Sequence, residues 1–346
     1  MKRFSTSSTA SVPKSAVQFL FSFARACVCL ALIALASGLS QTQLSQTSAP
    51  ARIKLLTLDL GCASHRNALT TEQRVERAKN ILDEFPADIV FIARGECAAV
   101  ALAAATHRTW IPMPAAAAGA GLLTTWTQSP AKDGELWKGL GARLKAADGR
   151  EVIAFAIEFP FAPYQPYQLS GVAHDEQPFM NSAEAAIAAA NTTRGLHSEH
   201  LAVAVRAANT AVGSQSQRLP VIAAGMVNEP SGGDWCDQAV RVELCPMRVM
   251  WPAVLNLERA GLRDAFRASH SNIVDAPGST WPTIPMKRDR SDRIDFIFTN
   301  ALLKCVAIEI LGEAGTANAR NPKPTKNGLP GEHRALYGEF DLTTTK

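Results

Sequence analysis

The chain has 346 residues, of which 47% are hydrophobic and 19% charged, so disorder over most of its length is excluded. Its net charge of +4 arises near the start, because residues 1–36 carry four of the 35 lysines and arginines and none of the 31 acidic residues. The rest of the chain is therefore neutral, which does not support bulk electrostatic binding of nucleic acid. No protein partner is indicated by the composition.

Residues 1–40 have the pattern of an export signal. Basic residues precede the uncharged apolar run 26–39, and Ala34 and Ala36 give a small-x-small cleavage pattern. This run is shorter than the about 20 residues that span a bilayer, which favours a signal peptide. The alternative is an uncleaved membrane anchor through residues 15–39. We therefore expect an exported protein, periplasmic or secreted, that is either free or tethered to a membrane.

After this segment, the polar residues 41–51 predict a linker, and residues 52–346 predict one folded domain. Apolar and alternating runs predict strands at 51–60, 87–94, 121–127, 150–159, 219–225, 292–300, 302–311 and 333–342. Helical spacing of apolar residues predicts helices at 70–85, at 181–209 with a break near Gly195, and at 250–261. This order is typical of an α/β sandwich rather than of a doubly wound sheet.

Five cysteines lie outside the N-terminal segment, and none forms a C-x-x-C pair, so a zinc site is not predicted. In an exported protein, Cys236 and Cys245 could form a disulfide that closes a ten-residue loop. Alternatively, all five are separate and mostly buried thiols.

A series of motifs in the second half of the chain has a familiar order. LPVIAAGMVNEPSGGDW (219–235) resembles the strand and GDFNEP loop of the endonuclease/exonuclease/phosphatase superfamily, the deoxyribonuclease-like metal-dependent phosphoesterases. GEHRAL (331–336) stands where that family closes with SDHRAV. Further similar segments are APYQPYQL (162–169), WPAVLNLERAGLRDAFRASH (251–270), GSTWPT (278–283) and DRIDFIF (292–298). The resemblance extends over residues 52–343 and implies a four-layer sandwich of two packed mixed β-sheets flanked by helices.

The resemblance also implies a chemistry, the hydrolysis of a phosphoester. Carboxylates hold a divalent cation, Mg²⁺ or Mn²⁺, a His/Asp pair activates water, and a second His and an Asn stabilise the phosphoryl oxygens. The implied partner is a phosphoester small molecule or a lipid headgroup, and the cofactor would be absent if the chain is inactive.

Four positions match this pattern fully or nearly. Asn228 and His333 match the family's Asn and closing His. Asp59 stands where the family has an Asn that supports the metal, and Glu332 is one carbon longer than the family's Asp beside the His. The resemblance thus implies catalytic roles for Asn228, Glu332 and His333, and a metal-binding role for Asp59.

Three positions depart from the pattern. Arg94 stands in place of the main metal-binding Glu, Glu158 in place of a His, and Met226 in place of the key Asp. A guanidinium repels a cation, and a thioether is a poor ligand for hard Mg²⁺. Glu96 could replace the lost metal ligand, and Glu158 could take a catalytic role.

Arg94 could instead pair with Glu158, Asp59 or Glu332 in a salt-bridged core, or capture a phosphate. By their match to family motifs, Asp264 and Asp295 are predicted to give structural support.

Together these substitutions favour an exported, catalytically degraded protein, a pseudoenzyme of the phosphodiesterase fold that retains a phosphate- or ligand-binding pocket. The alternatives are an active phosphodiesterase or phosphatase with a rearranged site, and a scaffold whose former site is filled core.

Overall fold

The computed structural model describes residues 52–343, except for 63, 65–66, 114–118, 131–134, 136, 175, 211–217, 284–289, 313–322 and 324. The predicted export signal, 1–40, and linker, 41–51, lie outside the described residues, so both stay predictions. Among the residues described, no helix is long and apolar enough to cross a membrane.

Two six-stranded mixed sheets form the centre of the described domain. The first sheet has the order β11-β12-β1-β2-β4-β3, and the second has the order β5-β6-β7-β8-β10-β9. The strands are β1 Ile53–Asp59, β2 Ile89–Ala93, β3 Thr109–Pro112, β4 Gly121–Thr124, β5 Thr127–Ser129, β6 Ala142–Lys145, β7 Glu151–Glu158, β8 Val221–Met226, β9 Arg263–Asp264, β10 Asp295–Thr299, β11 Leu303–Leu311 and β12 Ala335–Leu342.

Helices flank the two sheets, and the last of them packs Ala265 and Phe266 into the cluster between the sheets. The helices are α1 Thr71–Glu84, α2 Ala99–Ala105, α3 Gln165–Ser170, α4 Ala183–Ala190, α5 Leu196–Thr210, α6 Asp237–Arg241, α7 Pro252–Arg259 and α8 Ala265–Ser269. The break predicted near Gly195 is a π-helical turn, Asn191–Gly195, between α4 and α5.

The alternation of side chains along the strands explains the layers. Leu55 of β1 and Ala154 of β7 belong to one buried cluster between the sheets. Their neighbours Leu56 and Phe155 point the other way, into separate clusters that include residues of α1 and of α5. The predicted four-layer α/β sandwich is therefore confirmed.

The pairing of β1 with β2 and of β7 with β8 is parallel, whereas β10 pairs antiparallel with β8. As a result, the ends of β1, β2, β7 and β8 and the start of β10 lie at corresponding edges of the two sheets. The residues at this edge include the positions that the sequence singles out.

Candidate functional site

Five of the predicted site positions lie at the ends of neighbouring strands. Asp59 ends β1, and Arg94 directly follows β2. In the second sheet Met226 is the register partner of both Glu158 and Asp295. The backbone N–H of Arg94 donates to Oε2 of Glu158 at 2.7 Å and so joins the two sheets across the site.

The Asp59 carboxylate is the most heavily bonded group of the site. Its Oδ1 accepts from the Gly61 N–H and from Nε of Arg94, both at 2.8 Å. Its Oδ2 accepts from Nη2 of Arg94 and from the backbone N–H groups of Glu332, at 2.8 Å, and His333, at 3.2 Å. Arg94 thus forms a bidentate ion pair with Asp59. The Asp59 side chain is 1% exposed, and the Arg94 side chain is 22% exposed.

This pairing fixes the charges of both partners. Burial alone would raise the pKa of Asp59, but the charges of Arg94 and His333 and the hydrogen bonds outweigh it and lower the pKa to about 2. Burial alone would lower the pKa of Arg94, but Asp59 and Glu332 outweigh it and raise the pKa above its usual value. A carboxylate and a guanidinium therefore persist at neutral pH.

A His/Asp pair lies beside this ion pair. His333 Nδ1 lies 2.8 Å from Oδ2 of Asp295, and both residues are buried. The ring centroid of Trp281 lies 6.2 Å from that of His333. Asp295 was predicted to give structural support, whereas its contact with the imidazole places it within the site. Such a carboxylate orients the ring and selects its tautomer.

Glu332 and Asn228 complete the site. The Glu332 side chain accepts from the hydroxyl of Ser64, and its Oε2 lies 3.8 Å from Nη1 of Arg94. Asn228 has a positive φ of 59° and donates through Nδ2 to the Phe159 carbonyl at 2.7 Å. Its buried Oδ1 has no hydrogen-bond partner within the described part of the chain.

Glu158 is half-buried, and the pKa of its carboxyl is raised. Burial raises the pKa of its carboxyl from the usual 4.5 to about 7, and the negative charges of Glu96 and Asp59 add to this rise. The hydrogen bond from the Arg94 N–H opposes it. Glu158 is therefore partly protonated at neutral pH and can donate or accept a proton there.

The residues present do not fit the divalent cation that the resemblance implies. Both oxygens of Asp59 already accept hydrogen bonds, and the Arg94 guanidinium lies against them. The nearby Met226 is buried and offers only sulfur. Glu96, the predicted substitute ligand, is exposed, and among the described residues no group of three or more His, Cys, Asp or Glu could hold a metal ion. The predicted metal pair Asp59 and Glu96 is thus not supported by the geometry.

Neither alternative for the cysteines holds, because the structure has Cys236 and Cys245 as free thiols and contains a disulfide elsewhere. They pack as separate members of one apolar cluster, in which burial raises the pKa of Cys245 to about 12. The disulfide instead joins Cys62 to Cys97. A signal for it exists in the sequence, since each cysteine comes three residues after a strand-end site residue, in DLGC and RGEC.

Asp264 lies away from the site in a buried ion network. Its Oδ1 accepts from the backbone N–H groups of Phe266 and Arg267 and so caps α8. Its carboxylate also pairs with the buried Arg293, which in turn pairs with Asp234 at 2.8 Å.

The sequence was compared with known protein families and with individual proteins. No family model matches the sequence. An uncharacterised protein of Caenorhabditis elegans is 31% identical over 131 residues, which are 35% of this chain and 41% of that protein, so the chain spans less than half of its relative's length.

Two solved structures of endonuclease/exonuclease/phosphatase family proteins are similar in fold. The protein from Bacteroides thetaiotaomicron gives a TM-score of 0.51 at 13% identity, over 86% of this chain and 100% of that one. The protein from Bacteroides vulgatus gives 0.50 at 13% identity, over 85% and 100%. The chain therefore has the endonuclease/exonuclease/phosphatase fold.

Replacement of Gly331 by Ala should destabilise the protein. A Cβ at Gly331 would lie closer than 3.0 Å to the Asp59 carboxylate, which five hydrogen bonds prevent from moving. We expect a loss of about 2 kcal/mol in the free energy of unfolding, measured by urea denaturation. Gly233→Ala, whose Cβ would meet only ordinary contacts, is the control and should cost under about 1 kcal/mol. Equal effects of the two would contradict the tight packing at Asp59.

Glu158→Gln should change how stability depends on pH. Because the folded state holds the Glu158 proton up to pH 7 while the unfolded state releases it near 4.5, wild-type stability falls as pH rises between these values. Gln carries no such penalty, so the variant should gain about 2 kcal/mol relative to wild type between pH 4.5 and pH 8.

Urea denaturation at the two pH values measures this gain. Glu199→Gln on the exposed face of α5 is the control for the removal of one carboxylate. A pH-independent effect of Glu158→Gln would show that the Glu158 carboxyl is ordinary.

Proposed function

We propose that this chain, which has the endonuclease/exonuclease/phosphatase fold, binds a phosphoester-like oxyanion and no longer hydrolyses it with a divalent cation. The bidentate pair of Arg94 with Asp59 carries this proposal. It places a fixed positive charge where the resemblance implies a metal, and it occupies the carboxylate that would hold that metal.

The loss of hydrolysis follows from three side chains. Arg94 repels a divalent cation, Met226 gives it no hard ligand, and Glu158 replaces an imidazole by a group with a different charge. Each such loss commonly costs several orders of magnitude in rate, and the effects fall on one small site.

The binding of an oxyanion follows from the donors that remain. Within the described residues, Arg94 uses Nε and Nη2 on Asp59, whereas its Nη1 has only the 3.8 Å contact with Glu332. His333 uses Nδ1 on Asp295, so its Nε2 can donate to a ligand in the form in which both ring nitrogens carry a proton. A guanidinium edge and an imidazole nitrogen are suitable contacts for a phosphoryl oxygen.

The negative charge of the carboxylates in the site favours a ligand with one negative charge over a ligand with two. Asp59, Asp295 and Glu332, together with the partly protonated Glu158, outnumber the Arg94 guanidinium, so a dianion would be repelled more strongly than a monoanion. A phosphodiester, which carries one negative charge, therefore suits the site better than a free phosphate.

Calorimetry and a turnover assay with the full chain test the proposal. We expect diethyl phosphate to bind without added metal, Mg²⁺ and Mn²⁺ to give no binding heat, and bis(p-nitrophenyl) phosphate to remain uncleaved. Arg94→Lys should weaken binding of diethyl phosphate about tenfold, because one ammonium cannot hold Asp59 and the ligand in a fork.

Arg143→Lys is the matched control. Arg143 has the same side-chain exposure as Arg94, 22%, and is also paired with a carboxylate, Glu151, but it lies on β6 away from the site. This variant should bind diethyl phosphate as wild type does. Absence of diethyl phosphate binding, or calorimetric binding of Mg²⁺ by the wild type, would contradict the proposed function.

A second candidate function is favoured by the His333–Asp295 pair, which has the arrangement of a general base. On this alternative the chain is an active phosphodiesterase or phosphatase with a rearranged site that uses His333, Asp295 and Glu158. Cleavage of bis(p-nitrophenyl) phosphate that disappears in His333→Ala would support it over the first candidate.

We further propose that the protein is exported, to the periplasm or the cell exterior. The N-terminal pattern supports this, and so does the Cys62–Cys97 disulfide, since disulfides persist in oxidising compartments. N-terminal sequencing of the protein from fractionated cells should find a mature chain that starts close after Ala36. Recovery of the intact chain from the cytosol would contradict export.

A further inference from the structure

The disulfide and the central ion pair are spaced alike along the chain. Cys62 lies three residues after Asp59, and Cys97 lies three residues after Arg94. Asp59 and Arg94 leave the adjacent parallel strands β1 and β2, so their two loops start side by side. The disulfide, with a Cα–Cα distance of 5.7 Å, closes these loops on each other just beyond the ion pair.

The two loops also share hydrogen bonds around Arg94. The Cys62 N–H donates to the Arg94 carbonyl at 3.0 Å, and the Cys97 N–H lies 3.1 Å from the Cys62 sulfur. Arg94 itself has a φ of 46°, in the left-handed region that non-glycine residues rarely adopt. Such a conformation persists only where the surroundings hold it. The cross-link at Cys97 is therefore well placed to maintain it.

We propose that the Cys62–Cys97 disulfide is a positioning cross-link that holds the Arg94 guanidinium against Asp59. Its effect on oxyanion binding rests on the proposed function, whereas its effect on Arg94 does not. Cys97 is exposed and Cys62 is buried, so a dithiol reductant reaches the bond from the Cys97 side. The dithiol gives two electrons and two protons, which yield two cysteine thiols, and is itself oxidised to a disulfide.

Hydrogen exchange of the Arg94 Nε–H tests the positioning directly. The signal is assigned in the ¹⁵N-labelled full chain by its absence from Arg94→Lys. We expect exchange at least about tenfold faster after reduction with dithiothreitol and in Cys62→Ser/Cys97→Ser than in the oxidised wild type. Cys236→Ser/Cys245→Ser, which removes two free thiols, is the matched control and should leave the exchange rate unchanged.

A double-mutant cycle then separates positioning from a general structural role. Loss of the disulfide should weaken diethyl phosphate binding about tenfold when Arg94 is present, and no further in the Arg94→Lys background. A purely structural cross-link would give additive losses.

The remaining outcomes would contradict either the positioning role of the disulfide or the proposed function. Unchanged exchange of the Arg94 Nε–H after reduction would overturn the positioning role. Loss of the far-ultraviolet circular dichroism signal on reduction would assign the disulfide to fold stability and overturn it as well. If exchange accelerates but the oxidised wild type does not bind diethyl phosphate, the positioning role stands and the proposed function fails.

Discussion

The pairing of the Arg94 guanidinium with the buried Asp59 carboxylate is the interaction on which the rest of the site depends. Asp59 is 1% exposed at its side chain, and an ionised carboxylate in such a place requires a partner. Arg94 supplies that partner, and its backbone N–H at the same time bonds Glu158 of the other sheet. One residue therefore neutralises the central acid and connects the two halves of the sandwich.

The fold could be predicted from the sequence because its signals are local and repeated. Alternating and continuous apolar runs located the long strands, and the ordered motifs from 219 to 336 indicated which sandwich they form. Short elements were missed, among them β3, β5, β6 and β9, because two to four residues carry too little periodicity. The break near Gly195 was expected, whereas its form as a π-helical turn depends on packing of the surrounding helices.

The sequence predicted most residues of the site but not how they pair. The resemblance located Asp59, Arg94, Glu158, Met226 and His333, since each stands at a family position. It did not choose among the three possible partners of Arg94, because that choice depends on the register of β1 and β2 and on the turn at Arg94. The same register brings Cys62 and Cys97 together, which explains why spacing in the sequence could not identify the disulfide.

The five donors around Asp59 have a consequence for how this site can change over time. A mutation that removes Arg94 alone leaves a buried carboxylate without its counter-charge, which typically costs about 3–5 kcal/mol. A mutation that removes Asp59 alone leaves the partly buried Arg94 guanidinium without its main carboxylate partner. A metal site at Asp59 would therefore require coupled changes, because each single change would lower a stability that is typically only about 5–15 kcal/mol. The salt bridge thus constrains substitution, because Asp59 and Arg94 can be replaced together at a lower cost than either one alone.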